Sequence, residues 1–255
     1  MDLANVRTTN FAFGIQNPFF GKAAMEYIDK ALELLNCHEA DALVTAPVNK
    51  SCIRSAGFKE FEGHTEYLAQ KTGSKDFAMM FVGKRLKITL CSRHIALRLV
   101  ARAITEDVIY RTIMLTHECL KKSFGIKDPK IAVAGLNPHA GDSGLFGDEE
   151  EKVIIPAIRK ASTGIKNIYG PFPADVVFYE TLKGKFDAVV AMYHDQALAP
   201  FKTLYFNDGV NMTMGLPFVR TSPDHGTAFD IAGKGIADPT SMKEAILLAC
   251  RLSKR

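Results

Sequence analysis

Apolar residues recur every three or four positions in several segments of the chain, as they do on one face of a helix. In residues 21–36 that face would carry Met25, Ile28, Leu32 and Leu35. The same spacing predicts further helices at residues 64–73, 104–125, 148–161 and 240–252. These segments are therefore expected to pack one face of each helix onto a core.

Short apolar runs between the helical segments are typical of buried strands. They predict strands at residues 41–47, 130–136, 187–193 and 210–219, and a hairpin of two strands within residues 77–92. Strands that alternate with helices indicate an α/β fold with a largely parallel sheet, to which the hairpin adds an antiparallel element. We therefore expect a mixed sheet, with the ligand-binding site at the carboxyl ends of its strands.

The composition is that of an ordinary globular protein. The chain has 255 residues, of which 47% are hydrophobic and 24% charged, so it can bury a sizeable core. It has no apolar run of roughly 20 residues and no signal-peptide pattern, so a cytoplasmic protein that does not use a membrane is expected. The net charge of +4, without a long basic run, fits a small anionic ligand at least as well as nucleic acid.

Three histidines follow segments that are predicted as strands. His94, His139 and His194 come after LKITLCS, KIAVAGL and DAVVAM. If these strands are parallel neighbours, their ends meet at one edge of the sheet, and three imidazoles there could hold a divalent ion with open positions for water or substrate. The alternative is three separate histidines bonded to the backbone at loop starts, since no compact motif joins them.

Two carboxylates lie next to these histidines in the sequence. Asp142 and Asp195 could each orient an imidazole or accept a proton. Asp142, which lies between glycines, is equally typical of a turn.

A second polar set consists of basic and amide side chains. Lys202, Asn211 and Arg220 would suit a phosphate or a carboxylate if the fold brought them together. Solvated surface charge is the alternative for each lone cation, and it is weakest for Arg220, which ends an apolar run. The glycines within residues 224–239 are typical of a loop whose backbone approaches a ligand closely.

Six segments together resemble the 4-hydroxythreonine-4-phosphate dehydrogenase (PdxA) family of vitamin B6 biosynthesis. They are DALVTAPVNK, GHTEYLA, GLNPHAGDSGLFGDEE, AMYHDQ, GLPFVRTSPDHGTA and AGKGIADP, in consistent order from Asp41 onwards. The glycine-rich segment is also similar to a loop of isopropylmalate and isocitrate dehydrogenases, whose fold this family shares. The resemblance implies a two-domain α/β/α homodimer with its active site in the cleft between the domains.

The resemblance also implies roles for individual residues. It assigns one divalent metal ion, zinc, magnesium or cobalt, to His94, His139 and His194, with the third ligand supplied by the neighbouring subunit. It implies substrate contacts by His64, Thr65, Lys202, Asn211 and Arg220. His64 and Asp195 are the candidates for the catalytic proton acceptor. The implied cofactor-binding residues are His225, Gly226, Thr227, Ala228, Asp230 and Asp238.

The implied reaction is the NAD(P)-dependent oxidation of 4-phosphooxy-L-threonine, a small phosphorylated amino acid, to 2-amino-3-oxo-4-phosphooxybutanoate. That product loses CO2 and gives 3-amino-2-oxopropyl phosphate, on the route to pyridoxal phosphate. NAD is favoured over NADP because an acid at Asp230 would repel the 2′-phosphate. The alternatives are a dehydrogenase of a related acid, such as threonate or erythronate 4-phosphate, and a truncated metal- or phosphate-binding module without full activity.

The sequence departs from the family pattern in two places. Relatives usually have threonine before and proline after the first metal-binding histidine, where this chain has Arg93 and Ala96, so a changed local loop is expected. Complete members also open with a strand and a glycine-rich segment that this chain lacks. We therefore expect residues 1–58 with 236–255 to form the remainder of a first, cofactor-side domain, and residues 59–235 to form the metal- and substrate-binding, dimer-forming domain.

Overall fold

The computed structural model describes residues 1–6 and 11–254, in which one mixed sheet of eight strands is flanked by helices. The strands are β1 Ala42–Val44, β2 Ala78–Val82, β3 Lys87–Leu90, β4 Ile131–Ala134, β5 Ile168–Phe172, β6 Ala188–Ala191, β7 Val210–Met214 and β8 Val219–Pro223. Their order across the sheet is β1-β8-β7-β2-β3-β6-β4-β5. This single sheet includes strands from both predicted domains, and the division of the chain into two domains stays a prediction.

The helices cover both faces of this sheet. They are α1 Pro18–Asn36, α2 Lys50–Ser55, α3 His64–Thr72, α4 Val100–Ala103, α5 Glu106–Lys122, α6 Ile155–Ser162, α7 Ala174–Leu182, α8 His194–Tyr205 and α9 Thr240–Ser253. The helical segments predicted from apolar spacing are confirmed, whereas helices α2, α4, α7 and α8 and strand β5 were not predicted from the pattern. No helix in the described part of the chain is long and apolar enough to cross a lipid bilayer.

One half of the sheet is parallel. Strand β3 pairs with β6, β6 with β4 and β4 with β5, all in parallel register, so the carboxyl ends of these strands lie at one edge. The other half is antiparallel from β3 through β2 and β7 to β8, and β1 adds to β8 in parallel. The predicted mixed sheet, including the β2–β3 hairpin, is therefore confirmed.

The prediction of one strand over residues 210–219 is wrong. The chain turns at Gly215 and returns as β8, antiparallel to β7, so that Thr213 is paired with Arg220. Gly215 has φ +87°, and a Cβ at this position would lie 2.1 Å from the carbonyl oxygen of Asp76. Only glycine fits this turn, which reverses the chain so that β8 runs antiparallel beside β7.

Apolar side chains from the strands pack under the helices on both faces. Helices α7 and α8 cover one face of the parallel half around Phe201 and Leu90, and α5 and α6 cover the other around Ile113 and Val190. Helix α9 covers β7 and β8, while α1 to α3 form a further cluster with β1. This core fixes the ends of β3, β4 and β6, and the polar loops that follow them form the candidate site.

Candidate active site

Two of the three strand-end histidines face each other. His94 follows β3, and His194 begins α8 just after β6, the neighbouring strand. The centroids of the two imidazole rings are 5.8 Å apart. Burial and the positive charges of Lys50 and His194 lower the pKa of His94, which favours the neutral imidazole that a metal ion requires.

His139 lies apart from this pair. It follows β4, which is next to β6, but its loop takes left-handed backbone conformations at His139, Ala140, Asp142 and Ser143. The ring of His139 packs near Phe146, with 6.1 Å between their centroids. Within the described residues, no three histidine, cysteine, aspartate or glutamate side chains of one chain are grouped to hold a metal ion.

The loop of His139 is held by a buried carboxylate that the sequence pattern placed in an ordinary helix. Glu150, 2% exposed, accepts hydrogen bonds from the backbone N–H groups of Leu136 and Asn137, at 2.7 and 2.8 Å. The Asn137 side chain donates further bonds to Glu149 and Glu150, at 2.7 and 2.9 Å. Residues Glu150–Ile154 accordingly form a π-helical turn ahead of α6. Asn137 therefore braces this loop.

His194 has a carboxylate partner. Its Nδ1 lies 2.7 Å from Oδ1 of Asp195, whose side chain is otherwise exposed to solvent. Gln196 ties the same helix start to the sheet, since it donates to the Gly135 carbonyl and accepts from the Met192 N–H, both at 2.7 Å. This arrangement fixes the tautomer and direction of the His194 ring.

A cavity of about 520 Å³ opens beside His94. It is lined by predicted metal- and substrate-contacting residues from five separate parts of the chain, namely His64, Thr65, His94, Lys202, Asn211 and Arg220. It is also lined by three of the predicted cofactor-binding residues, His225, Gly226 and Thr227. The structure therefore brings together residues that are up to 163 positions apart in the sequence (64 to 227).

Arg220 is the most deeply buried cation of this cavity, with 4% exposure. Its Nη1 donates to Oγ1 of Thr213 at 3.0 Å and its Nη2 to Oγ1 of Thr45 at 2.7 Å. Its Nε has no hydrogen-bond partner in the described structure, and neither has Oδ1 of the neighbouring Asn211. Burial lowers the pKa of Arg220 to about 10, against the opposing field of Glu66.

The first turn of α3 forms the wall beside Arg220. Oγ1 of Thr65 lies 3.2 Å from Oγ1 of Thr213, which continues the hydrogen-bond chain from Arg220. Burial, followed by the positive charges of Arg220 and Lys50, lowers the pKa of His64 to about 3. His64 is therefore a neutral imidazole near pH 7 and is able to accept or donate a hydrogen bond.

Lys202 reaches the cavity from the last turn of α8. Its Nζ donates to the backbone carbonyl of Asp224 at 2.8 Å and lies 3.4 Å from Oδ2 of the same residue. Burial raises the pKa of Asp224, and the Lys202 ammonium opposes this shift. The two side chains thus form an ion pair at the rim of the cavity.

The remaining predicted cofactor-binding residues lie outside the cavity wall. Ala228 has a left-handed backbone with φ 48° and precedes the 3₁₀ turn Phe229–Ile231, where Asp230 is exposed. Asp238 is also exposed, and its carboxylate accepts hydrogen bonds from the N–H and the hydroxyl of Thr240 at the start of α9. Those bonds lower the pKa of Asp238.

Several residues of the cavity were not predicted from the sequence pattern. Thr45, Lys50 and Glu66 line it, and Thr213 connects Arg220 to Thr65. Lys50 and Thr45 belong to the segment DALVTAPVNK, which was noted only for its resemblance. Thr213 lies between two methionines in β7, and this strand pattern does not indicate a functional role.

Known proteins are similar to this chain along most of its length. The family model described as "Pyridoxal phosphate biosynthetic protein PdxA" matches residues 1–249. A 4-hydroxythreonine-4-phosphate dehydrogenase of Desulfosudis oleivorans is 50% identical over 238 residues, which cover 93% of this chain and 70% of that protein. A D-threonate 4-phosphate dehydrogenase of Cupriavidus necator is 47% identical over 244 residues, 95% of this chain and 73% of that protein.

The fold is also that of solved structures. The crystal structure of a 4-hydroxythreonine-4-phosphate dehydrogenase from Klebsiella pneumoniae superposes with a TM-score of 0.87 at 41% sequence identity. The match covers 96% of this chain and 74% of that chain. The α/β fold predicted from the sequence is confirmed by this similarity.

Proposed function

Because this chain belongs to the PdxA family of pyridoxal phosphate biosynthetic proteins, we propose that it oxidises 4-phosphooxy-L-threonine with NAD as the hydride acceptor and one divalent metal ion. The hydrogen on C3 leaves as a hydride and the hydroxyl hydrogen as a proton, which gives 2-amino-3-oxo-4-phosphooxybutanoate. This β-keto acid then loses CO2 and gives 3-amino-2-oxopropyl phosphate. The reaction class is that of a dehydrogenase acting on a CH–OH group.

The observation that carries the proposal is the unsatisfied pair formed by Arg220 and Asn211. A buried guanidinium without a carboxylate partner is costly, and a phosphate or carboxylate bound at its Nε would supply the missing acceptor. Asn211 and Thr65 would complete the contacts at this end of the substrate. Lys202 lies at the rim, where it can contact the other anionic group.

The histidines fit a divalent metal ion. His94 and His194 would be two of its ligands, with Asp195 on Nδ1 of His194 leaving Nε2 for the ion. When bound, the ion would lower the pKa of the substrate hydroxyl and polarise the forming ketone. His139 of the partner subunit would be the third ligand, because His139 of the same chain does not join the pair.

Exposed apolar side chains next to the metal ligands support a homodimer. Leu97 is 72% exposed just after His94, and Leu145 is 72% exposed just after His139. Neighbouring apolar side chains that are also exposed include Ile95, Leu99 and Phe146. A second copy of the chain that covers these two loops would bury them and bring the two parts of the metal site together.

His64 is the better placed of the two candidate proton acceptors. It lines the cavity and is kept neutral by burial, whereas Asp195 is bound to His194 and exposed. A neutral imidazole can take the hydroxyl proton directly or through a water molecule. Asp195 then acts by orienting His194.

The loop from His225 to Asp230 would bind the nicotinamide cofactor. Its first three residues line the cavity, and the exposed Asp230 carboxylate would repel a 2′-phosphate bound beside this loop. This charge favours NAD over NADP.

D-threonate 4-phosphate is the second candidate substrate, because relatives of both names are similar to this chain. The two compounds share the phosphate and the carboxylate and differ at C2, which carries an amino group in one and a hydroxyl in the other. An assay of the purified chain with NAD, a divalent metal and each compound tests the proposal through the formation of NADH.

Oxidation of 4-phosphooxy-L-threonine at the higher kcat/KM supports the first substrate. A preference for D-threonate 4-phosphate would replace it with the second. Binding of both compounds without formation of NADH would instead identify a phosphate-binding module and would exclude the proposed enzyme.

A further inference from the structure

Two acidic and three cationic side chains line the cavity, and the two acids are paired with different cations. The acids are Asp224 and Glu66, and the cations are Lys50, Lys202 and Arg220. Asp224 is paired with Lys202, at 3.4 Å, and both residues line the cavity. Glu66 is paired with Arg93, which does not line this cavity but lines an adjacent one together with Glu66.

Arg93 is held in place from several sides. Its Nε lies 3.5 Å from Oε1 of Glu66, and both side chains are about one-quarter exposed. Its guanidinium carbon lies 4.6 Å from the centre of the Phe77 ring, and its Nη1 donates to the Phe77 carbonyl at 3.4 Å. The cation is therefore fixed with its charge directed at Glu66.

Glu66 is the acid whose field reaches the binding residues. It lines the cavity together with Arg220, and its negative charge raises the pKa of that guanidinium against the effect of burial. A Cβ placed on Gly63 would lie 3.0 Å from Oε2 of Glu66 and 3.8 Å from Nζ of Lys50. The carboxylate thus lies over the start of α3, next to the residues predicted to contact the substrate.

Each of the two acids is paired with one cation, and these pairs give the net charge of the cavity. Lys202 offsets Asp224, Arg93 offsets Glu66, and Lys50 and Arg220 make no ion pair within residues 1–6 and 11–254. The cavity therefore presents an excess of two positive charges, which suits a phosphate dianion. Without Arg93, the charge of Glu66 would remove about half of that excess.

We propose that Arg93 neutralises Glu66 from outside the cavity and so preserves the affinity of the cavity for a dianionic substrate. This inference rests on the proposed function. Arg93 does not touch the substrate and acts through Glu66.

The test compares Arg93→Thr, Glu66→Gln and the double variant with the parent. Arg93→Thr leaves the Glu66 charge without its partner, and we expect KM for the phosphorylated substrate to rise roughly five- to tenfold while kcat changes less than about twofold. Glu66→Gln removes that charge, so the double variant is expected to return to within about twofold of the parent KM. Arg159→Thr, at an exposed position on α6, serves as the matched control.

A second readout does not depend on turnover. The Kd of inorganic phosphate for the metal-free protein, measured by calorimetry, should rise several-fold in Arg93→Thr and recover in the double variant. If the parent fails to oxidise either substrate, the proposed function is wrong, while the phosphate titration still decides the role of Arg93. An Arg93→Thr variant with parental phosphate affinity, or a double variant that is as weak as Arg93→Thr, would overturn the inference.

Discussion

Arg220 donates a hydrogen bond to Thr213, the residue that pairs with it across the β7–β8 ladder, at 3.0 Å. This bond and the one to Thr45 use both terminal nitrogens of the guanidinium. The buried Nε is left without a hydrogen-bond partner in the described structure. The fold thus prepares a buried cation for an anion that the chain itself does not supply.

Arg220→Lys should raise KM for the phosphorylated substrate by at least about tenfold, because an ammonium group cannot reproduce the planar donors of arginine. A parallel measurement uses inorganic phosphate, which should raise the melting temperature of the parent but not of Arg220→Met. An Arg220→Met variant that phosphate stabilises as strongly as the parent would contradict this assignment. Arg159→Lys is the control for an exposed arginine.

A mixture of two inactive variants should regain activity if the metal site is shared between subunits. His94→Ala and His139→Ala each disrupt both sites of a homodimer, but a mixed dimer retains one intact site. After co-refolding of equal amounts, we expect about one-quarter of the parental activity and a matching recovery of bound metal. Each variant alone should keep its circular dichroism spectrum, and the absence of any recovery would place the three ligands elsewhere.

The stability of the protein should depend on pH through His64. Its folded-state pKa of about 3 lies below the usual value of 6.5, so the unfolded chain takes up a proton first as the pH falls. The stabilising contribution is therefore complete above pH 6.5 and is lost progressively as the pH falls towards about 3. The free energy of unfolding in urea should decline less steeply with falling pH in His64→Gln than in the parent.

If the free energy of unfolding declined equally with falling pH in the parent and in His64→Gln, His64 would not be a buried neutral imidazole. His38→Gln, at an exposed position, controls for the loss of a histidine.

Glu150→Gln should destabilise the loop that carries His139. The buried carboxylate accepts hydrogen bonds from two backbone N–H groups and one side-chain amide, and a glutamine can replace only part of them. We expect the free energy of unfolding to fall by about 1–3 kcal/mol. Glu151→Gln, at the exposed neighbouring position, should differ little from the parent in urea denaturation.

The cofactor preference should depend on Asp230. Asp230→Ala removes the charge that would repel the 2′-phosphate, so kcat/KM for NADP should rise several-fold while that for NAD falls or stays the same. Steady-state kinetics with both cofactors at saturating substrate test this expectation. An unchanged ratio of the two kcat/KM values would remove Asp230 from the cofactor site.

The sequence by itself determined most of the elements around the site. Apolar spacing predicted α1, α5 and α9, and short apolar runs predicted β3, β4 and β6, because these patterns follow directly from helix and strand periodicity. The sequence also shows that His94, His139 and His194 each follow one of these strands, although it does not show which strands are neighbours in the sheet. The family motifs then added roles that periodicity cannot give.

Only the tertiary structure decided which of these residues meet. The sharp turn at Gly215 brings Arg220 back beside Thr213, and the pattern alone had predicted one continuous strand there. His139, in a loop with left-handed backbone that Glu150 holds, is not grouped with the His94–His194 pair in the described part of the chain. Periodicity records which face of an element is apolar, whereas long-range packing and the satisfaction of buried polar groups set the distances between elements.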